Sequence, residues 1–169
     1  MSGYNKEFEK RVQDSFLDEF YKKLGYEVEE RTPQDASTLC EWDVILKKGE
    51  RRIRVEEKII RNVWPNIVVE LIEDVASGKQ GWYFQLSADM LMEVFCENEV
   101  PKVIYCINWP EFKKWYADNC HRFRMTDRDG QVEPAIRIDK TGWGTTMFHL
   151  IPIEMIPKEM IIKLMDLKK

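Results

Sequence analysis

Asp43, Glu56 and Lys58 are the residues of this chain whose types and spacing could do chemistry. They fall in the stretch Glu-Trp-Asp-Val-Ile-Leu-Lys-Lys-Gly-Glu-Arg-Arg-Ile-Arg-Val-Glu-Glu-Lys-Ile-Ile, residues 41–60. Trp42, Val44 and Leu46 alternate with polar neighbours on a first arm, and Ile53, Val55 and Ile59 do so on a second, which is strand periodicity. Gly49-Glu50 between them suits a two-residue turn with glycine at its first central position. That turn sets Asp43 opposite Glu56. Directly opposed residues share a face with Cβ atoms roughly 4.5–5.5 Å apart, and two carboxylates that close repel unless a proton or cation lies between them. Lys58 projects to the same face. Hard divalent cations such as Mg²⁺ and Mn²⁺ take oxygen ligands. Such an ion can polarise a scissile phosphate and activate water, with a nearby ammonium to neutralise developing charge. A three-residue turn would instead oppose Asp43 to Glu57 and turn Lys58 away. It would also seat Glu56 among the aliphatic residues, so the two-residue turn is preferred.

Several elements must hold this hairpin in place. Asn5 can cap a helix running to about Leu24 and closed by Gly25. Its stripe is Phe8, Val12, Phe16, Phe20 and Leu24, with Leu17 and Tyr21 beside it. Glu9, in the first turn, either favours the helix dipole or points a carboxylate toward the acidic face. Residues 26–31 read as an edge strand and 32–39 as a loop. Residues 66–72 read as a third strand, in which Glu70 is a carboxylate bordering the site or a partner of Arg61 or Lys58. Residues 73–80 form a loop whose Lys79 and Gln80 meet an extended run at 81–84, a frequent place for substrate contacts. A helix over 88–95 capped by Ser87, a buried strand over 102–107 and a helix over 110–119 opened by Pro110 follow. Paired strands at 134–138 and 145–151 precede a final helix over 157–167. The expected whole is a single α/β domain over 1–169, a mixed central β-sheet flanked by helices. Its core spans about 5–107, and a C-terminal helix, β-hairpin and helix span 108–169.

Composition narrows the classes. A chain of 169 residues, 44% apolar and 33% charged, can bury a core and has the make-up of a folded protein. No apolar run approaches the roughly 20 residues of a membrane span, and Met-Ser-Gly-Tyr-Asn-Lys-Glu lacks the apolar segment of a signal peptide. A cytoplasmic location with no membrane partner is expected. Cys40, Cys96, Cys106 and Cys120 lack CxxC spacing and read as buried thiols, ahead of a partial zinc site from Cys106 with Cys120-His121. A net charge of −4 argues against nonspecific coating of nucleic acid while leaving room for a basic groove. No Gly-rich phosphate loop, GxSxG elbow or HExxH is present. His121 reads as a surface residue and His149 as a strand residue with a satisfied ring. Lys47, Lys48, Arg51 and Arg52 crowd the hairpin tip, and Arg122, Arg124 and Arg128 form a second basic stretch. Both read as solvated, with phosphate contact the alternative. Trp109, Trp115 and Trp143 read as core, ahead of base stacking.

Asp43, twelve intervening residues and Glu56-x-Lys58 in a Val-Glu-Glu-Lys strand resemble the PD-(D/E)XK nuclease superfamily. Glu9 on a preceding amphipathic helix that ends in Leu-Gly-Tyr adds to the likeness, which covers roughly residues 5–95. The resemblance implies a restriction-endonuclease-like core and a metal-dependent nuclease, endo- or exonuclease, hydrolysing phosphodiester bonds, with DNA the commoner substrate. It implies that Asp43, Glu56 and the backbone carbonyl of Glu57 ligate Mg²⁺ or Mn²⁺. It further implies that Lys58 assists the attacking water, that Glu9 reaches the metal or its waters, and that Lys79 and Gln80 are auxiliary substrate-binding residues. Trp42 stands where the family's eponymous proline would be. The alternatives are an inactive nuclease-fold protein that binds nucleic acid or a protein partner, and an interaction protein with these residues as a buried ion-pair cluster. Whether the chain forms a homodimer is left open.

Overall fold

The hairpin closes through Gly49, whose φ of +60° glycine adopts without steric cost. The computed structural model describes residues 3–32, 42–123, 125–126 and 146–166. In chain order these form α1 (Gly3–Val12), α2 (Asp18–Lys23), β1 (Glu27–Arg31), β2 (Val44–Lys48), β3 (Arg51–Ile60), β4 (Asn66–Asp74) and β5 (Lys79–Gln80). They continue with α3 (Trp82–Gln85), β6 (Met90–Glu97), β7 (Val100–Asn108), α4 (Trp109–Asn119), β8 (Met125–Thr126), β9 (Met147–Pro152) and β10 (Ile161–Asp166). Where one domain over the whole chain is expected, contacts divide it into two compact units of interleaved segments. Met1–Trp64, Ser87–Phe112 and Lys158–Lys169 make the first; Pro65–Leu86 and Lys113–Pro157 make the second.

The first unit carries a six-stranded mixed sheet in the order β1-β2-β3-β6-β7-β10. Only β3 and β6 run parallel; the other neighbours are antiparallel. Val44 faces Val55 and Lys48 faces Arg51, the register expected of the two-residue turn. Val44, Leu46, Ile53, Val55 and Ile59 are buried with Met92, Val94 and Ile104 under Phe8, Val12, Leu17 and Tyr21 of the N-terminal helix. This helix is not a uniform α-helix. A π-helical segment, Gln13–Leu17, inserts between α1 and α2, and the extra residue rotates the inward face. The buried series therefore runs Phe8, Val12, Leu17, Tyr21 instead of continuing through Phe16, Phe20 and Leu24. Phe16 and Phe20 stack on each other with centroids 5.6 Å apart, and Leu24 is exposed.

Three expected elements differ in the structure. The stretch read as a helix over 88–95 is β6, paired with β3 on one side and β7 on the other. Met90, Leu91, Met92, Val94, Phe95 and Cys96 favour both faces of a central strand, and pairing along both edges overrides the helix propensity of Met and Leu. The final helix is replaced by β10, whose Ile161 and Ile162 suit an edge strand on β7. Residues 82–85 form the short helix α3 where an extended run is expected. Strand β4 forms as expected, but it lies in the second unit, in a four-stranded sheet of order β5-β4-β9-β8. The strand expected at 134–138 and most of the loop at 32–39 lie outside the described residues. No helix among the described residues is long and apolar enough to cross a membrane.

Candidate functional site

Asp43 immediately precedes β2 and is fixed by main-chain bonds on both sides. Its N–H donates to Val55 O at 2.9 Å, and its carbonyl accepts from the N–H of Thr32 at 2.9 Å. Its Oδ2 accepts from the N–H of Glu57 at 2.8 Å. Glu56, the residue across the ladder, lies near enough that its charge raises the Asp43 pKa, and Lys58 Nζ donates to Glu56 Oε1. The two-residue turn thus brings Asp43, Glu56 and Lys58 together on one sheet face. Val55, Glu57 and Ile59 alternate with them onto the other.

That opposite face clamps the site from beneath. The Glu57 side chain has no exposed surface, and its carboxylate accepts four bonds. Tyr21 Oη donates to Oε1 at 2.6 Å, Gln13 Nε2 to Oε2 at 2.7 Å, and Arg31 to both oxygens at 2.9 and 3.3 Å. Arg31 also forks onto Asp18 Oδ1 at 2.6 and 3.1 Å. The inserted turn at Gln13–Leu17 accompanies the arrival of both Gln13 and Tyr21 at this carboxylate; π-bulges occur often at functional sites. The residue held from below by its side chain is thus the one whose N–H orients Asp43 above.

Electrostatics mark the upper face as costly. Burial first, and the charge of Glu56 second, raise Asp43 from an ordinary 3.8 to about 6. Burial disfavours the Lys58 ammonium, but Glu56 and then Asp43 outweigh it and hold the lysine pKa above its usual value. Lys58 is therefore a stable ammonium at neutral pH, suited to orienting and charge neutralisation. The Asp43 shift has a stability consequence. A raised carboxyl pKa means the folded state holds the proton more tightly than the unfolded chain. The stabilising effect is complete below about 3.8 and is lost as pH rises through about 6. Asp43→Asn keeps an oxygen for the Glu57 N–H and removes the charge. Urea denaturation without added cation is expected to find it more stable than the parent by about 1–3 kcal/mol at pH 8, with the advantage gone near pH 4.

The remaining expected site residues stand on α1, β4 and β5. Glu9 is on α1, between Phe8 and Val12, and α1 covers the face carrying Val55 and Ile59. The structure therefore does not bring Glu9 to the Asp43 face. Lys79 and Gln80 form β5 of the second unit, exposed, with Lys79 Nζ 2.7 Å from Glu73 Oε1. Glu70 is on β4 of that unit, where its Oε1 accepts from the Trp82 N–H at 3.4 Å. Of the hairpin-tip cations, Arg52 pairs with Glu29 at 2.7 Å, and Lys48 donates to Leu24 O at 3.1 Å. His149 is buried with its Nδ1 2.7 Å from Tyr116 Oη, the satisfied ring expected. Trp109 is buried against Phe112, Cys96 is buried, and burial pushes the Cys96 and Cys106 thiols up to about 12 and 11. Arg124, Arg128, Trp143 and Cys40 lie outside the described residues.

One residue of the group escapes the sequence reading. Glu93 on β6 stands directly opposite Lys58 and is 1% exposed. Burial pushes its carboxyl up to about 8, with Lys58 drawing it down and Glu56 pushing it further up. The signal was a single glutamate inside the apolar run Met-Leu-Met-Glu-Val-Phe-Cys. Read as a buried strand, that run places the glutamate inside the sheet.

The donor set suits the divalent cation implied by the resemblance. Asp43 and Glu56 are hard oxygen donors; burial first and the charge of Glu56 second raise the Asp43 pKa, and a cation would relieve the second of these. Mg²⁺ is commonly held by one or two carboxylates, with waters and substrate phosphates completing its shell, so the pair fits. Among the described residues, no group of three or more His, Cys, Asp or Glu side chains is arranged to hold a metal ion. Comparison of the chain with protein-family models, curated proteins and solved structures finds no match in any of the three.

Proposed function

We propose that this chain is a metal-dependent nuclease that hydrolyses phosphodiester bonds, with DNA its substrate, and that its first unit is a restriction-endonuclease-like core. The observation that carries the reading is the grouping of Asp43, Glu56 and Lys58 on one face of the β2–β3 hairpin, with Lys58 bonded to Glu56. The order of helix, three antiparallel strands and a later strand parallel to β3 supports it. The helix expected at 88–95 has no counterpart there.

Asp43 and Glu56 would hold the cation, with the Glu57 carbonyl as a further oxygen. Mg²⁺ or Mn²⁺ at that position supplies polarisation of the phosphate and a more acidic water. Asp43 is preorganised for this by the Glu57 N–H, which fixes one carboxylate oxygen. Lys58 is an ammonium beside the same carboxylates. Its donors orient the attacking water and neutralise charge developing on the phosphate oxygens.

A second reading is a nuclease-fold protein that binds nucleic acid or a protein partner without cutting it. It is favoured by the Lys58–Glu56 ion pair and by the lack of a three-ligand group among the described residues. Plasmid DNA, single-stranded DNA and RNA, each offered with Mg²⁺, with Mn²⁺ and with a chelator, separate the two. Cleavage that needs the cation supports the nuclease. Retention of an uncut strand in a mobility shift, with no cleavage of any substrate, supports the binding protein.

A further inference from the structure

Trp42 is the large apolar side chain of the hairpin stretch that the core leaves out. The alternation of its arm would send it inward with Val44 and Leu46, yet those two enter the core and Trp42 does not. It is half-buried, on a backbone that is pinned. Thr32 Oγ1 donates to Trp42 O at 2.9 Å, and the next residue, Asp43, bonds through its main chain to Thr32 and Val55. A single half-exposed aromatic is ordinary on a protein surface. Two features set this one apart: it adjoins Asp43, and a fixed cation stands beside its ring.

That cation is Arg54. It stands opposite Ile45, which puts it on the face of Asp43 and Glu56. Its guanidinium carbon lies 5.7 Å from the Trp42 ring centroid, so the ring borders that face. Asp89 holds the guanidinium through Nη2 at 2.9 Å and Nε at 3.2 Å. Asp89 also accepts from the Arg54 N–H and gives its own N–H to Arg54 O, both at 2.9 Å. Arg54 therefore braces the ring while Asp89 meets its charge. A braced, half-exposed indole is suited to stack on a nucleobase, since every base has a π-face and the guanidinium adds a cation–π contact. The Cα atoms of Trp42 and Asp43 are about 3.8 Å apart, so a base on the ring belongs to a nucleotide flanking the phosphate at Asp43. We propose that Trp42, braced by Arg54, is the base-stacking residue of the site, holding the unpaired base of a nucleotide beside the cleaved bond. The inference rests on the nuclease reading above. It narrows the substrate to DNA whose bases are unpaired at the cut, a single strand or supercoiled DNA where it opens. In a closed duplex the base would first have to leave its stack.

The test is cleavage of an end-labelled single-stranded DNA carrying one abasic nucleotide, by the full chain with Mg²⁺ or Mn²⁺. Products are mapped against those from the same strand with all its bases. The parent is expected to cut the bonds flanking the abasic position about tenfold more slowly than the same bonds in the intact strand, with distant bonds unchanged. Trp42→Leu is expected to cut those bonds at one reduced rate in both strands. Trp42→Phe keeps a ring and is expected to retain most of the discrimination. A parent that cuts the abasic-flanked bonds at full rate overturns the inference, and that result depends on no variant folding. So does a Trp42→Leu protein that discriminates as the parent does. If the parent cuts neither strand, the nuclease reading fails together with the inference, whereas the other two outcomes sink the inference alone.

Discussion

Lys58→Ala is expected to lower cation-dependent phosphodiester cleavage by about a hundredfold to a thousandfold. Lys58 is the positive group bonded to Glu56, and the charges of Glu56 and Asp43 hold it as an ammonium. Its removal leaves the metal-holding carboxylates in place and takes away the charge that meets the phosphate. Stability moves too, and in a way that can be distinguished from lost chemistry. Without Lys58, Asp43 and Glu56 lose the cation that offsets their repulsion, so the metal-free variant melts earlier than the parent. Saturating Mg²⁺ restores the melting temperature, because ligand binding to the native state stabilises it by mass action. Circular dichroism melts with and without Mg²⁺, run beside cleavage rates, check both halves. A variant that melts like the parent yet cleaves like it would place the chemistry elsewhere.

Arg31→Met is expected to destabilise the protein by about 3 kcal/mol, the low end for breaking a buried pair from one side. The Glu57 carboxylate has no exposed surface, while Arg31 retains 22%. Once the guanidinium is removed, Glu57 keeps only the Tyr21 and Gln13 donors, and its charge is left uncompensated in the interior. Asp18 loses its bidentate partner as well, but that contact is half-exposed and contributes little. Urea titration reads the loss as a lower midpoint at unchanged slope. The β3 backbone that Glu57 anchors also carries the N–H that orients Asp43. Cation affinity is therefore expected to fall with stability.

The hairpin was legible because local rules agree on it. Gly49 demands the turn, the alternation of Val44, Leu46, Ile53 and Val55 fixes the face, and a one-residue slip would move those four residues off the face that packs under the N-terminal helix. The helix was legible as an element, but its inner face was not. Phe16, Phe20 and Leu24 continue the four-residue spacing of Phe8 and Val12, and only packing against the sheet reveals the inserted residue that selects Leu17 and Tyr21 instead. β6 and β10 were illegible for a different reason. Met, Leu, Glu and Lys suit a helix locally, and β3 beside β6 and β7 beside β10 are remote from them in sequence. That misreading hid Glu93, since a glutamate on a helix face has no fixed relation to Lys58. Asp43, Glu56 and Lys58 share one hairpin, so local pattern sufficed for them. Glu9 was placed by analogy of a helix acid, and the helix covers the other face.

The most direct measurement is the nicking of supercoiled plasmid as a function of Mg²⁺ concentration, for the parent and for Asp43→Asn in parallel. Nicking by the parent that saturates with Mg²⁺ and stops on chelation, with none above background from Asp43→Asn, is the predicted result. Equal nicking by the two proteins, or nicking by the parent that survives chelation, would contradict a site built on Asp43, Glu56 and Lys58.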